Sequence, residues 1–486
     1  MTRAVAPSRE TIVGTLRMFS AEILIVPTGL VTAAVLTRKL GTADYGMFAV
    51  AAALISTIEF SITSGLARTT FKFVADSDDW QNIATSMMHL YLTVGLAAGA
   101  LVWILAPWLA KSLHDHLLTP YLRLFAIDVP IFTLARAHRN VLLGLGRYRE
   151  NSRAGITRWL TRMILIVVLV TAGFSVSGAI VACLGASAME FLAVRYYVRL
   201  PVFARSPVHV RKFIIHALPL LLVGISLRLY DRLDLFLLQR LTSNSAVAGV
   251  YAAAQNITLV FGILAMAFSS VLVSNLTRTI RGQGIPTAKR LARNAMRLVL
   301  ALLPLIALLA GSGRAIALLM FGRAFSSAGP IVGVLAFAGC ANLFLTVATA
   351  ILVAADKPNW TAVLAVPMPL ILSVLLVFVI PRYGAIGAAV SAAAVSTVAS
   401  VAALIAVRVA WSVSPPLTTL GRALLLAILG YVTSAVCPGT GVLLLIKMAV
   451  LSCAVIAGFY AMGEIEEHEV WFARNLVGVF RKQAVA

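Results

Sequence analysis

Charged residues are scarce in this sequence, and acidic residues are the scarcest among them. Only 12% of the 486 residues are charged, with 18 Asp and Glu against 40 Lys and Arg. A soluble domain has roughly a quarter of its residues charged, so this chain has too few to cover a water-exposed surface. Hydrophobic residues make up 60%, and the mean hydropathy is +0.96. The composition predicts that lipid is the solvent for much of the chain.

Patterns that carry catalysis or bind metals are also missing. The sequence contains no GxxxxGK[ST] phosphate loop, no HExxH and no GxSxG, and its four cysteines form no CxxC. No segment between apolar runs is long enough to hold a nucleotide-sugar site. We therefore predict a protein that is not an enzyme and has no cofactor or metal. Nucleic-acid-binding motifs are absent as well, so we assign the net charge of +22 to basic loops and predict no nucleic-acid partner.

In place of these patterns, the sequence has unbroken apolar runs of about 20 residues, the length of a membrane-spanning helix. A transmembrane barrel would instead show strands of about 10 alternating residues. We therefore predict an all-α polytopic membrane protein with about fourteen transmembrane helices. The predicted spans are 14–37, 45–67, 84–110, 121–143, 155–173, 178–198, 214–239, 247–275, 294–321, 328–354, 360–380, 385–409, 420–437 and 441–462.

Lys and Arg are distributed unevenly among the connections between these spans. Arginine-rich segments follow the fourth, sixth and eighth spans, and the alternate connections hold few cations. Cytoplasmic loops of membrane proteins collect Lys and Arg. The distribution predicts an even number of spans, with both termini in the cytoplasm.

Short matches recur along the chain at offsets between 203 and 210 residues, a distance that covers six spans. They pair residues 46–49 with 249–252, 143–147 with 353–357, and 178–182 with 387–391. A repeat of six spans keeps its orientation, so the two copies are related by an axis along the membrane normal. We predict two pseudo-symmetric six-helix bundles around a central cleft. The predicted divisions are 1–200 and 201–412 for the bundles, 413–463 for two additional helices, and 464–486 for a cytoplasmic tail that is either an interfacial helix or frayed.

Ionisable groups inside apolar runs are candidate functional residues because each costs at least ~2.5 kcal/mol to place in lipid. The seventh span contains Arg228, Asp231, Arg232 and Asp234. Steps of three and four residues put the first three on one helical face, which we expect to point into the cleft. A self-neutralised structural cluster is the open alternative.

Two sets of candidate site residues follow. The ion-coupling candidates are carboxylates within spans, and Asp128 and Glu190 are expected instead to pair with arginines. The substrate candidates are arginines, whose planar forks bind phosphate well, although each is also explained as a snorkelling residue. The ion-coupling set is Asp231, Asp234, Glu59 and Glu22, and the substrate set is Arg228, Arg232, Arg17, Arg68 and Arg139.

Residues 36–48 read LTRKLGTADYGMF, which resembles the ARxLGxxxYGxFA opening of bacterial polysaccharide exporters. Leu218-Pro219, the DRLD of residues 231–234 and the GVYA of residues 249–252 are similar to the same family. The resemblance covers roughly residues 10–410. It is to the Wzx-type flippases of lipid-linked oligosaccharides, in the multidrug/oligosaccharidyl-lipid/polysaccharide (MOP) superfamily.

The resemblance implies transport of an undecaprenyl-pyrophosphate-linked oligosaccharide, such as an O-antigen or exopolysaccharide repeat unit. Transport would run from the inner to the outer leaflet of the bacterial cytoplasmic (inner) membrane by alternating access. It also implies a monomer in contact with membrane lipids, with polysaccharide polymerase and glycosyltransferases as candidate partners and coupling to H⁺ or Na⁺ as an option.

Three other functions remain open at this point. They are a cation-coupled multidrug antiporter and a peptidoglycan-precursor flippase of the same superfamily, and a non-transporting membrane subunit of a polysaccharide synthase complex. Fourteen spans and central arginines favour the flippase over the antiporter.

Overall fold

The computed structural model describes residues 24–200, 228–437 and 439–464, and within these residues the chain is helical with no strand. A single 3₁₀ turn lies at Arg323–Phe325. The helices are α1 Ile25–Ala75, α2 Trp80–Ser112, α3 Leu118–Ala126, α4 Asp128–Gly144, α5 Tyr148–Thr171, α6 Ser175–Tyr197, α7 228–242, α8 Ser245–Gly282, α9 Ile285–Gly311, α10 Gly313–Phe321, α11 Ala328–Ala354, α12 Pro358–Ala365, α13 Pro367–Trp411, α14 Leu417–Val436 and α15 Val442–Ala461.

Among the described residues, eleven helical stretches are long and apolar enough to cross a membrane. Two of them cover two predicted spans each. In each, two helices follow one another directly and meet at a glycine kink between the spans. Gly41 in α1 has φ 76°, and Gly384 in α13 has φ 54°, a backbone region that favours glycine. The eleven stretches thus cover thirteen of the fourteen predicted spans in whole or in part, and the all-helical membrane fold is confirmed. The remaining span, 214–239, lies partly outside the described residues.

Helices α1–α6 pack mainly against one another, with α5 along α6, α2 along α4, and α4 against α1 and α6. We call this group the first bundle. In the second bundle, α7–α13, helix α11 packs along both α8 and α13 and also touches α9. Helices α14 and α15 form a C-terminal hairpin in which α14 packs along α9. The residue boundaries predicted for these units remain predictions.

Apolar contact between the two bundles is concentrated at one end of the molecule. The shared core joins α1 side chains such as Tyr45 and Val50 to α8 side chains from Ala248 to Ile257. Further along α8, buried side chains from Phe261 onward belong to a core formed by the second bundle alone. We call the end that contains the 113–117 and 243–244 connections the closed end. The arginine-rich connections lie at the opposite end.

Candidate functional site

A buried carboxylate, Glu190 of α6, lies at the centre of a charged cluster in the first bundle. Its side chain is fully buried, and its two oxygens accept hydrogen bonds from different arginines. Arg139 Nη1 donates at 3.0 Å and Arg158 Nη1 at 2.9 Å. The expected pairing of Glu190 with arginines is confirmed, but both arginines lie within helices α4 and α5 rather than in a loop. The carboxylate holds two guanidinium groups in fixed positions.

Neighbouring side chains fix these two guanidinium groups further. Arg139 Nε donates to Asn151 Oδ1 at 2.7 Å. The Arg158 guanidinium lies 4.4 Å from the centroid of the Phe132 ring, a distance at which the ring face attracts a cation. Gly155 leaves room for Arg139, because a Cβ there would lie 3.3 Å from Nη2. The cluster is therefore built by three helices, α4, α5 and α6.

Two further carboxylates in this bundle are buried without a full set of donors. Glu59 of α1 is 6% exposed and Asp128 of α4 is 2% exposed. One oxygen of each lacks a hydrogen-bond partner among the described residues, and Asp128 forms no ion pair there, contrary to expectation. The charges that act on Glu59 come from Asp128 and from three arginines, Arg136, Arg158 and Arg162. A buried oxygen without a donor is a place where a proton or a cation can bind.

The charged face of α7 lies between the two bundles. The Arg228 guanidinium lies 4.0 Å from the centroid of the Phe60 ring on α1, so it reaches from the second bundle to the first. Asp231 is exposed, and its Oδ2 lies 3.8 Å from Arg228 Nη1. Arg232 acts electrostatically on Tyr45 of α1. Arg228 thus contacts the first bundle and Arg232 acts on it electrostatically, and their predicted role in binding substrate remains a prediction.

Asp234 is positioned differently from its neighbours on α7. Its Oδ2 accepts hydrogen bonds from Tyr251 Oη at 2.6 Å and from Gln255 Nε2 at 2.9 Å. Its Oδ1 accepts from the backbone N–H of Leu235 at 2.8 Å. Donors therefore occupy both oxygens and tie α7 to α8. The predicted role of Asp234 in ion coupling remains a prediction.

The other predicted site residues are more scattered. Arg68 is exposed on α1, toward the arginine-rich end, and it does not join the buried cluster. Arg17 and Glu22 lie outside the described residues. Arg158 and Arg162 were not among the predicted site residues, because they lie near the start of the predicted span 155–173 and were counted with the basic residues that flank it. Their spacing of four residues on one helix was the available signal.

Two helical bundles in a membrane, joined at one end and with charged side chains between and within them, are typical of carrier-type transporters. Several solved structures have a similar fold. The chain is similar to the lipid II flippase MurJ in an inward closed conformation, with TM-score 0.75 and 12% identity over 96% of this chain and 100% of that chain. It is also similar to an inward-facing multidrug resistance MATE family transporter of the MOP superfamily, with TM-score 0.67 and 16% identity over 82% of this chain and 98% of that chain.

A third similar structure is a MOP superfamily transporter from Pyrococcus furiosus described as having a binding pocket of reversed polarity. Its TM-score is 0.60 and its identity 15%, over 84% of this chain and 96% of that chain. At these identities the likeness shows the fold alone. No curated protein matches the chain.

The sequence model of the family "Polysaccharide biosynthesis protein" matches residues 13–278, more than half of the chain. The chain therefore belongs to this family of MOP-superfamily membrane transporters.

Proposed function

We propose that this protein moves an undecaprenyl-pyrophosphate-linked oligosaccharide from the inner to the outer leaflet of a bacterial cytoplasmic membrane by alternating access. The observation that carries the proposal is the position of Arg228, which reaches across the cleft to Phe60 of the other bundle. A pyrophosphate is recognised well by guanidinium groups, which donate paired hydrogen bonds to its oxygens. Membership of a polysaccharide biosynthesis family supports a polysaccharide precursor as the substrate.

The amphiphilic substrate matches the distribution of polar and apolar groups. Its pyrophosphate would bind Arg228 and Arg232 between the bundles, and its sugars would occupy the polar cleft. The polyprenyl chain would remain in lipid, where most of the helix surface is apolar. The substrate would enter sideways from the inner leaflet, at the end that contains the arginine-rich connections. The positive-inside rule supports a cytoplasmic location for that end and for both termini.

Glu59 and Asp128 are the proposed coupling site for an ion, with H⁺ as the first candidate. Each has one buried oxygen without a donor, unlike Asp234, whose oxygens both accept hydrogen bonds. The charges of Arg136, Arg158 and Arg162 act on Glu59, and those of Arg158, Arg162 and Glu190 act on Asp128. Binding a proton at this pair would change the charge beside the arginines without moving the backbone.

The nearest competing function is a peptidoglycan-precursor flippase, which would bind the same pyrophosphate group. A multidrug antiporter for organic cations is disfavoured by Arg228 and Arg232, because they place positive charge where such a substrate would bind. A non-transporting subunit of a polysaccharide synthase complex would have no need of charged groups between its bundles.

The proposal is tested by reversing the charge of the cleft arginines. In a strain whose surface polysaccharide depends on this protein, Arg228→Glu and Arg232→Glu should each abolish export and leave lipid-linked oligosaccharide in the inner leaflet. Arg290→Glu is the matched control, since Arg290 is an exposed arginine on α9 rather than on α7. All three variants should reach the membrane at similar levels. Normal export by the cleft variants would refute the cationic binding site.

A further inference from the structure

An apolar groove of about 320 Å³ lies on the second bundle, where α12 and the two halves of α13 meet. All the side chains that line it are apolar. They include Leu364 of α12, Met368 and Ile371 of the first half of α13, and Ala394, Val398 and Ala402 of its second half. Ile371 and Val398 are each more than half exposed, so the groove is open at the protein surface.

The groove lies on the side of α13 that is turned away from α7. Ser396 of α13 is buried and hydrogen-bonds Tyr230 of α7. Ala394 and Val398 each lie two residues from Ser396, and residues two positions apart on an α-helix point to nearly opposite sides. The groove therefore faces the surrounding lipid rather than the charged face of α7.

The equivalent position of the first bundle is filled by helix packing. Ala394 corresponds to Gly185 at the 209-residue offset. A Cβ added to Gly185 would lie 2.6 Å from Leu165 Cδ1, so α5 and α6 are in close contact there. In the second bundle Ala394 is exposed instead. The groove is thus specific to the second bundle rather than a consequence of the helix pattern that both bundles share.

Two cations and a tryptophan lie at one end of the groove. Lys357 Nζ donates to the Ala410 carbonyl at 3.3 Å, which brings the start of α12 next to the end of α13. Arg408 lies two residues before Ala410, and both cations are exposed. Trp360 is 40% exposed and precedes Leu364 by one turn of α12. Cations and tryptophan at the end of an apolar surface are typical of the level of lipid headgroups.

The charge distribution indicates which leaflet this end meets. Connections 355–357 and 412–416 follow the tenth and twelfth predicted spans, on the same side as the arginine-rich connections. The positive-inside rule supports a cytoplasmic location for that side. Anionic lipids give the cytoplasmic leaflet a negative surface that attracts basic groups. A headgroup beside Lys357 and Arg408 would place its acyl chain alongside the groove.

We propose that this groove binds one acyl chain of an anionic phospholipid of the inner leaflet, whose phosphate lies at Lys357 and Arg408. The lining side chains offer no nitrogen or oxygen to a polar ligand, so a hydrocarbon chain is the occupant that matches them. The α13 helix separates this lipid from the charged face of α7, where the oligosaccharide is proposed to bind. The bound chain fills the gap between the two halves of α13 and stabilises the second bundle. This inference does not rest on the proposed function.

Lipid binding to the purified protein in detergent tests the acyl-chain site. The probe is dioleoylphosphatidylglycerol, and native mass spectrometry counts the lipid molecules that each variant retains. Ala394→Trp should fill the groove and weaken retention about tenfold or more, because the chain loses apolar contact. Ala449→Trp is the matched control, since Ala449 is an exposed alanine of α15. Equal retention by the two Trp variants would overturn the acyl-chain site.

The headgroup contact is tested by neutralising the two cations. Lys357→Gln combined with Arg408→Gln should reduce the affinity for phosphatidylglycerol to that for dioleoylphosphatidylcholine, whose headgroup has no net charge. Arg382→Gln is the control, because Arg382 is an exposed cation at the other end of the first half of α13. A preference for phosphatidylglycerol that survives in the double variant would overturn the headgroup assignment.

A measurement on the native protein does not depend on the folding of any variant. Phosphatidylglycerol with a photoreactive diazirine on one acyl chain should cross-link to residues 363–375 and 394–402. Excess unlabelled phosphatidylglycerol should prevent this cross-linking, and excess undecaprenyl phosphate should not. Competition by undecaprenyl phosphate would assign the groove to a polyprenyl chain and overturn the phospholipid. Cross-links found only outside these residues would overturn the groove as a lipid site, and neither result would bear on oligosaccharide transport.

Discussion

Glu190 in the first bundle and Ala399 in the second occupy equivalent positions at the 209-residue offset that aligns α6 with the second half of α13. Glu190 binds two arginines. Ala399 lines an apolar groove of about 320 Å³ together with Met368 and Val395. Glu59 in the first bundle likewise corresponds to Gly262 in the second at the 203-residue offset. The repeat therefore conserves helix packing while the buried charge is concentrated in one copy.

The buried carboxylates of the two bundles also differ in how well hydrogen-bond donors satisfy them. Asp234 is the one buried carboxylate of the second bundle among the described residues, and its oxygens are occupied by donors. The first bundle holds Glu59, Asp128 and Glu190, and the first two have an oxygen without a donor. A carboxylate oxygen without a donor can bind a proton, whereas the buried carboxylate of the second bundle already has its donors in place.

The largest loss of stability is expected from removing Glu190, whose equivalent in the second bundle is Ala399. Glu190→Ala leaves Arg139 and Arg158 buried without their anion, which should destabilise the protein by about 3–5 kcal/mol. Glu150→Ala removes a partly exposed pair with Arg147 at the start of α5 and should change stability by less than about 1 kcal/mol. Thermal unfolding of the purified proteins in detergent compares the two. Equal losses would mean that the buried cluster does not hold the first bundle together.

The converse substitution places a carboxylate where the second bundle has none. Ala399→Glu should destabilise the protein by at least ~2.5 kcal/mol, because its apolar groove offers no cation to pair with the charge. The same unfolding measurement, with Ala399→Met as a control of similar length, isolates the effect of charge. A Glu variant as stable as the Met variant would show that water reaches the groove.

A smaller loss of stability is expected at Asp234, the buried carboxylate of the second bundle whose oxygens both accept hydrogen bonds. Tyr251→Phe removes one of three hydrogen bonds to Asp234 and should cost about 1 kcal/mol of stability. Substrate transport should continue, since Asp234 joins α7 to α8 rather than binding an ion. Loss of transport in a folded Tyr251→Phe variant would return Asp234 to the ion-coupling candidates.

The smallest change in stability is expected at Glu59. Glu59→Gln removes a buried charge with an unsatisfied oxygen, so stability should stay within about 1 kcal/mol of the native protein. Transport should nevertheless lose its dependence on a proton gradient imposed across reconstituted vesicles. Retention of that dependence in the Gln variant would exclude Glu59 as the coupling residue.

Much of the fold could be predicted from the sequence, because apolar runs and positions of cations report directly on spanning helices. The repeat also identified Gly46 and Gly249 as equivalent residues, although it could not show that they touch. The site was harder to predict from the sequence, since Glu190, Arg139 and Arg158 are separated in the chain and meet only through packing of α4, α5 and α6. The surroundings of Asp234 were also out of reach, because its side-chain donors lie on the next helix, α8; its predicted role in ion coupling stays a prediction.

The central claim, that this family member flips a lipid-linked oligosaccharide by means of cleft arginines, is tested most directly by reconstitution. The purified protein would be placed in vesicles whose inner leaflet alone holds an undecaprenyl-pyrophosphate-linked oligosaccharide, and a lectin outside would report its arrival. We predict arrival with the native protein and with Arg290→Glu, and none with Arg228→Glu. Arrival at the rate of protein-free vesicles with the native protein, or unchanged arrival with Arg228→Glu, would contradict the account.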